Sequence, residues 1–358
     1  MGRRILFDAL AARYGGGAYA AVQLARNLAA RPEVSGVVVV TRSGSIVERG
    51  LADERAVRCV SLAAATRMEL PRRVLWEAAR LPALVRREAC DVVLTMSGLP
   101  RRSPGCRLIC LLGNPVMYES RTLANLLRRW AVRRTAREAR YLAAPSHLMA
   151  GLVSASVDRP CAVLPWGVDH SVFFPAASAG KEILCVGDFY AHKRHDLLIE
   201  AWLRLSSPRP ALRLVGNPDV DPHTHARLLA RIAALPQADS IALEYRVSLD
   251  RLVQAYQSAR VFVMPSEHES FCMPLAESMA CGVPAVVRAI GSLRETGGVG
   301  ATYVETDDPA RWAGAIERVI GDDRDHDRAR ERAIEAAARF TWEACAATLA
   351  AQLRDRTQ

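Results

Sequence analysis

Lysine is nearly missing from this chain of 358 residues. Of its 48 basic side chains only Lys181 and Lys193 are lysines, and none lies before residue 165. Long apolar runs are missing as well. No stretch approaches the roughly 20 residues a membrane-spanning helix needs, which excludes such a helix. Cysteine is present nine times, scattered and odd in number. The closest pair, Cys106 and Cys110, lacks the second pair that a zinc or redox motif requires. The pattern fits mostly buried thiols in a reducing cytoplasm. At the start, Asp8 comes too early for a secretion signal, and Leu6 stands where a myristoylation site needs Ser or Thr. No internal repeat stands out, and no low-complexity segment beyond alanine-rich helices.

The charge that is present is unevenly placed. The net formal charge is +10. Residues 1–165 hold 26 arginines against 12 acidic residues, a balance of +14. The remainder holds 22 basic and 26 acidic residues, a balance of −4. Two halves of opposite sign point to two surfaces with different partners. An anionic membrane face, an anionic acceptor and nucleic acid are the readings for the basic half. Its plain counterpart is an arginine-rich composition on solvated surfaces.

The length allows two domains, and the patterning repeats one unit. Apolar runs at residues 4–8, 36–41, 91–96, 107–112 and 141–144 read as strands. Between them, residues 72–88 and 121–140 read as helices, the first broken or bent near Pro82. Gly15, Gly16 and Gly17 precede a helical stripe of Ala21, Leu24, Ala25 and Leu28, so a phosphate could sit at that helix start. The loop is not G-x-G-x-x-G and no acidic residue closes the next strand, which argues against a dinucleotide site. The helix at 121–140 sets Leu123, Leu126, Leu127 and Trp130 against Arg128, Arg129, Arg133, Arg134 and Arg137. It reads either as an amphipathic helix for a membrane interface or as a helix packing its apolar stripe on a sheet. Ser146 suits an N-cap. Residues 161–175 and the small residues after them read as a linker. The pattern then restarts, with strands at 181–187, 212–216 and 240–245 and helices at 196–205, 223–235 and 249–258. Helices near 310–320, 324–339 and 342–354 close the chain. Strands alternating with helices imply α/β architecture with parallel, doubly wound sheets.

One segment organises the second half. Residues 259–264 read as a buried strand, and residues 266–284 read S-E-H-E-S-F-C-M-P-L-A-E-S-M-A-C-G-V-P. Pro274 suits a helix start, and Gly282 with Pro284 a helix stop. The reading is strand, loop, short helix, strand, with Glu269 in the loop and Glu277 on the helix. Both belong at the carboxyl end of a parallel strand, where open α/β sheets bind ligands.

Glu269 and Glu277, framed by Phe271, Pro274, Met279, Gly282 and Pro284, resemble the nucleotide-sugar signature of retaining glycosyltransferases of family 4, E-G-F-G-L-P-x-L-E-A-M-A-x-G-x-P. Ser270 and Cys272 replace two family glycines. Residues 185–195, C-V-G-D-F-Y-A-H-K-R-H, resemble the family's G-R-x-x-x-x-K, with Asp188 where the family has arginine. The hinge of the family is similar to the run around Trp166, Gly167, Val168 and Asp169. The resemblance covers most of residues 145–345 and scattered points before them.

The resemblance implies two Rossmann-like domains facing a cleft, the GT-B architecture. Residues 1–170 would bind the acceptor and residues 171–340 the donor, with a last helix in 341–358 packing back on the first domain. Lys193 and Glu269 would be catalytic. Lys193 would neutralise the departing diphosphate, with Arg194 or a first-domain arginine standing in for the family arginine. Glu269, with backbone near Ser270, Phe271, Cys272 and Met273, would hold the donor sugar. Glu277 would take the ribose hydroxyls, backbone at Arg246 and Val247 the base, and the Gly15–Gly16–Gly17 loop the phosphates. Asn114 is the acceptor-side candidate. His147, His192 and His268 qualify as bases by location alone. Asp219-Val220-Asp221 matches a metal-holding D-x-D, although a polar turn suits its setting better, and no metal or other cofactor is expected.

The expected activity is transfer of a hexose or aminosugar from a UDP- or GDP-sugar to a sugar, lipid-linked or natural-product acceptor, with retention. The alternatives are a GT-B sugar-nucleotide epimerase and a basic RNA- or membrane-binding module with an inert nucleotide cleft. The expected setting is cytoplasmic, with peripheral contact to an anionic membrane and no nucleic acid partner.

Overall fold

A computed structural model of the chain describes residues 2–12, 15–62, 70–97, 105–119 and 122–354. The chain divides into two compact units, Met1–Gly167 with Trp342–Gln358, and Val168–Thr341.

The first unit runs β1 (Arg3–Asp8), α1 (Gly15–Ala29), β2 (Val34–Arg42), α2 (Ile46–Gly50), β3 (Val57–Leu62), α3 (Leu70–Arg87), β4 (Val92–Thr95), β5 (Arg107–Leu111), α4 (Val116–Glu119), α5 (Leu123–Glu138), β6 (Tyr141–Ala144), α6 (His147–Val157) and β7 (Ala162–Val163). Its seven strands are parallel, in the order β3-β2-β1-β4-β5-β6-β7. Val37, Val38, Val39 and Val40 are all buried, as expected where helices cover both faces of a parallel sheet. The chain winds outward from β1 to β3, then crosses to β4 and winds the other way. That reversal leaves a crevice at the carboxyl ends of β1 and β4, where Asp8 and Thr95 are register partners.

Three helices of this unit bear on the sequence reading. Helix α3 runs through Pro82 as one element. Ser146 caps α6 by accepting the Met149 N–H at 3.2 Å. Helix α5 buries Asn125, Val132, Thr135 and Ala136. The bulkier stripe faces solvent: Leu123 is 73% exposed, Leu126 47%, Leu127 54% and Trp130 55%. Packing that stripe on a sheet, one of the two sequence expectations, does not occur. Arg121 lies outside the described residues.

The second unit runs β8 (Glu182–Val186), α7 (His195–Leu203), β9 (Leu212–Gly216), α8 (Pro222–Ala233), β10 (Ile241–Tyr245), α9 (Leu249–Gln257), β11 (Ala259–Met264), α10 (Met273–Ala280), β12 (Ala285–Arg288), α11 (Gly291–Gly297), β13 (Ala301–Val304), α12 (Pro309–Ile320) and α13 (Asp323–Ala338). Its six strands are parallel, in the order β10-β9-β8-β11-β12-β13. Here the winding reverses between β8 and β11. Val168 and Thr341 pair where the chain enters and leaves this unit.

Helix α14 (Trp342–Arg354) then belongs to the first unit. Its Leu349 and Leu353 meet Ile5, Leu28, Val92, Leu94 and Ile109 in an apolar seam. Trp342 packs edge-on to Tyr19, with ring centroids 6.4 Å apart. Arg107 Nη1 donates to the Leu353 carbonyl at 3.0 Å.

Candidate functional site

Strands β8 and β11 are neighbours, so the loops leaving their carboxyl ends lie side by side. The Glu267 N–H donates to the His192 carbonyl at 2.8 Å and ties the two loops together. One residue after His192 and two after Glu267, Lys193 Nζ donates to Glu269 Oε1 at 2.6 Å. Residues 76 positions apart in sequence thus form an ion pair at the reversal point of the sheet. Both side chains are largely buried, 14% and 10% exposed. Burial opposes the Lys193 ammonium, but the Glu269 carboxylate outweighs it, and the lysine pKa stands above its ordinary value. Lys193 is therefore a fixed cation at any physiological pH.

The neighbours divide the remaining charge. Arg194 has a left-handed backbone, φ 52°, and its guanidinium meets Glu267 at 2.7 Å and Asp307 at 3.0 Å. Arg288 reaches Asp307 at 2.6 Å. This network already occupies the Arg194 charge. Asp188 accepts the Asn217 N–H at 3.2 Å, linking the ends of β8 and β9, and burial pushes its pKa up. His192 falls to about 4, through burial first and then Lys193. His195 falls to about 3 for the same two reasons, and its Nε2 is buried without a hydrogen-bond partner. Both imidazoles are neutral at pH 7. The His268 ring stands 5.9 Å from that of His192, and His147 is exposed at the start of α6.

Helix α10 begins beside Glu269. Cys272 is its N-cap residue, with φ 70° and ψ 74°, and no side chain caps this end. A cysteine thus holds the left-handed backbone that favours glycine, which explains why the resembling family has glycine there. The helix starts one residue before Pro274, at Met273, and Gly282 with φ 71° ends it. Phe271 is buried edge-on to Phe340 at 5.1 Å, and its carbonyl accepts from Thr296. Ser270 is half-buried between Glu269 and Phe271.

Glu277 faces the interior of the same unit. Its Oε2 accepts the Tyr256 hydroxyl at 2.8 Å, and burial raises its pKa to about 7 against the pull of that phenol. Arg246, φ 48°, follows β10, three strands across from β11. It pairs with Asp219 at the exposed surface, and Val247 stands half-buried next to it. Asp221 caps α8 by accepting the Thr224 N–H at 3.1 Å, so the D-x-D carboxylates serve a turn and a pair. No group of three or more metal-ligating side chains gathers among the described residues. In the first unit, Gly15, Gly16 and Gly17 form the opening turn of α1, with Gly15 at φ 56°, and Asn114 is exposed between β5 and α4.

The model of Glycosyltransferase Family 4 matches residues 14–172, and that of Glycosyl transferases group 1 matches residues 172–339. The chain belongs to this family of glycosyltransferases. D-inositol 3-phosphate glycosyltransferase of Thermobispora bispora is 32% identical over 219 residues, 56% of this chain and 51% of that protein. The enzyme of the same name from Geodermatophilus obscurus is 35% identical over 210 residues, 52% of this chain and 45% of that one. The chain thus spans about half the length of the curated relatives it matches. Among solved structures, sucrose-phosphate synthase of Thermosynechococcus elongatus has a TM-score of 0.81 at 20% identity, covering 97% of both chains. Anabaena HepE in complex with UDP and glucose also scores 0.81, at 18% identity, covering 98% of this chain and 99% of that one. At these identities the likeness speaks for the fold, which is GT-B.

Residue-level reading missed the Tyr256 partner of Glu277, the Asp307 hub and the left-handed Arg194 and Arg246. The signal for Cys272 was there: a residue replacing a family glycine inherits its backbone.

Proposed function

We propose that the chain is a retaining glycosyltransferase, moving a hexose or aminosugar from a UDP- or GDP-sugar to a sugar, lipid-linked or natural-product acceptor. The observation that carries this reading is the Lys193–Glu269 pair at the reversal point of β8 and β11. The relatives' names agree with it, since each denotes transfer of a glycosyl group.

The geometry fits that chemistry as follows. A diphosphate arriving at the loop between β8 and α7 would share Lys193 with Glu269. The uncapped start of α10 would add its partial positive charge to the same anion. Glu269, already oriented by Lys193, would then hold the sugar while positive charge grows at its anomeric carbon. Ser270, Phe271, Cys272 and Met273 supply backbone beside that sugar. Glu277 would accept the ribose hydroxyls, and Arg246 and Val247 would border the base. Gly15, Gly16 and Gly17 would admit a phosphate at the start of α1, and Asn114 would face the acceptor. Retention follows if transfer occurs on one face, with the leaving phosphate taking the acceptor proton. Neither metal nor further cofactor enters, so turnover should survive excess EDTA.

Labelled UDP- and GDP-sugars incubated with candidate acceptors test this directly. The reading predicts a new glycoside with the donor's anomeric configuration, visible in the anomeric proton coupling. Lys193→Ala should lower kcat/KM by about 100-fold or more, in the range lost when one charge-stabilising donor is removed. An inverted product would end the retaining assignment, and full activity in Lys193→Ala would end the site assignment.

Peripheral contact with an anionic membrane belongs to the same proposal. It rests on the exposed Leu123, Leu126, Leu127 and Trp130 beside exposed Arg128, Arg133 and Arg137. Vesicles rich in phosphatidylglycerol should bind the protein, and vesicles of phosphatidylcholine alone should not. Equal binding to both would sink the electrostatic part.

A further inference from the structure

The reversal point of the first sheet carries a second group of carboxyls that the donor chemistry leaves unused. Asp8 ends β1, opposite Thr95 at the end of β4. It is 1% exposed. Its Oδ1 accepts the Leu10 N–H at 3.1 Å, and its Oδ2 is buried with no hydrogen-bond partner. Glu77 of α3 is 2% exposed, and both its oxygens are buried without a hydrogen bond. Arg73, one turn earlier, brings Nε to 3.0 Å of Glu77 Oε1 as an ion pair. Two residues past Thr95, the hydroxyl of Ser97 is likewise buried and unpartnered. Arg42, at the end of β2, donates from Nε to the Leu10 carbonyl at 3.1 Å, and its charge also acts on Glu77.

Buried polar groups are ordinarily satisfied, and those left open concentrate where a ligand supplies the missing bonds. Here Asp8 Oδ2, Glu77 Oε2 and the Ser97 hydroxyl have neither hydrogen bond nor ion pair, and they come from β1, α3 and the turn that follows β4. The charges select among ligands. Burial, and then the charge of Asp8, raise Glu77 to about 8 against the pull of Arg73 and Arg42, so Glu77 carries a proton at neutral pH. Burial raises Asp8 as well, against Arg73 and the Leu10 N–H. The cluster then offers two carboxyl groups, of which the protonated one donates and accepts, and one hydroxyl that does both. Two guanidinium groups disfavour a metal cation, and buried carboxyl oxygens disfavour an anion. Neighbouring hydroxyl groups, each a donor and an acceptor, match this set.

We propose that Asp8, Glu77 and Ser97 bind a vicinal diol of a sugar or polyol, and that this is where the acceptor is recognised. The acceptor role rests on the transferase reading above; the diol site itself does not.

Saturation-transfer NMR with D-glucose, D-mannose and myo-inositol tests the site, with UDP binding followed in parallel on the same samples. The proposal expects at least one polyol to bind wild type, Asp8→Asn and Glu77→Gln to weaken it at least tenfold, and UDP binding to stay unchanged. Ser97→Ala, which removes one small hydroxyl and no charge, should weaken the polyol several-fold with no change in Tm, and serves if either carboxyl variant fails to fold. No polyol binding to wild type, or binding unaltered in Ser97→Ala and in whichever carboxyl variants fold, overturns the proposal. Polyol binding that depends on these residues in a protein that binds no UDP would keep the diol site and remove the transferase reading instead.

Discussion

Cys272 shows what one residue in an unfavourable conformation does to a site. Its left-handed backbone costs an L-residue about 1–2 kcal/mol, a strain that glycine lacks. Glycine in turn adds roughly 0.5–1 kcal/mol of unfolded-state freedom. Cys272→Gly should therefore unfold within about 1 kcal/mol of wild type, while Cys272→Val, branched at Cβ, should cost at least about 2 kcal/mol. Urea denaturation of the two variants checks this, and equal losses would show that the backbone there is unstrained. Glu277 makes a prediction in pH. Its folded pKa of about 7 lies above the ordinary 4.5, so folding favours the protonated form. That contribution is complete below pH 4.5 and is lost as pH rises through 7, a swing of about 3 kcal/mol. Glu277→Gln should flatten the fall in stability between pH 5 and pH 8. A wild-type profile already flat over that window would place the Glu277 titration elsewhere.

At the scale of elements, α14 covers one face of the first sheet beside α1. Trp342, Cys345, Ala346, Leu349 and Leu353 are all buried on it. Leu353→Ala should cost about 2–5 kcal/mol, the usual loss for a buried leucine, and should do so through the first unit. Hydrogen exchange that rises in β1 and β4 but not in β8 or β11 would confirm this. Helix α5 makes the opposite case, because its large apolar side chains are outside. Replacing Leu126, Leu127 and Trp130 by Gln should leave Tm nearly unchanged while abolishing vesicle binding.

These elements also show what the sequence disclosed. Short apolar runs announced β1, β2, β8 and β11, and Ser146 announced the start of α6, which it caps. Helices α2, α4 and α11 are four to seven residues long, too short for a helical period to register. Strand β13 is half-buried and gives no clean alternation. Helix α5 carried two stripes, and which one packs is decided by tertiary neighbours rather than by the helical period. The pairing of Lys193 with Glu269 was legible only through the family resemblance, since nothing local joins residues 76 positions apart. The Tyr256 hydroxyl on Glu277 came from packing that no motif encodes.

For the whole molecule, two parallel sheets each reverse their winding once, and chemistry-bearing residues gather at each reversal. Lys193 and Glu269 stand at one, Asp8 and Thr95 at the other. The charge is divided along the chain as well, +14 over residues 1–165 and −4 over the rest. Vesicle binding should therefore weaken steeply with salt, whereas donor binding at the largely buried Lys193 should weaken little. The account's central claim is that the β8–β11 reversal grips a nucleoside diphosphate through Lys193. Calorimetric titration of UDP and GDP into wild type and Lys193→Ala measures it most directly. The account predicts one site per chain for at least one nucleotide, weakened at least tenfold, or about 1.4 kcal/mol, by the substitution. Equal affinity in the two proteins, or no binding by either nucleotide, would contradict it.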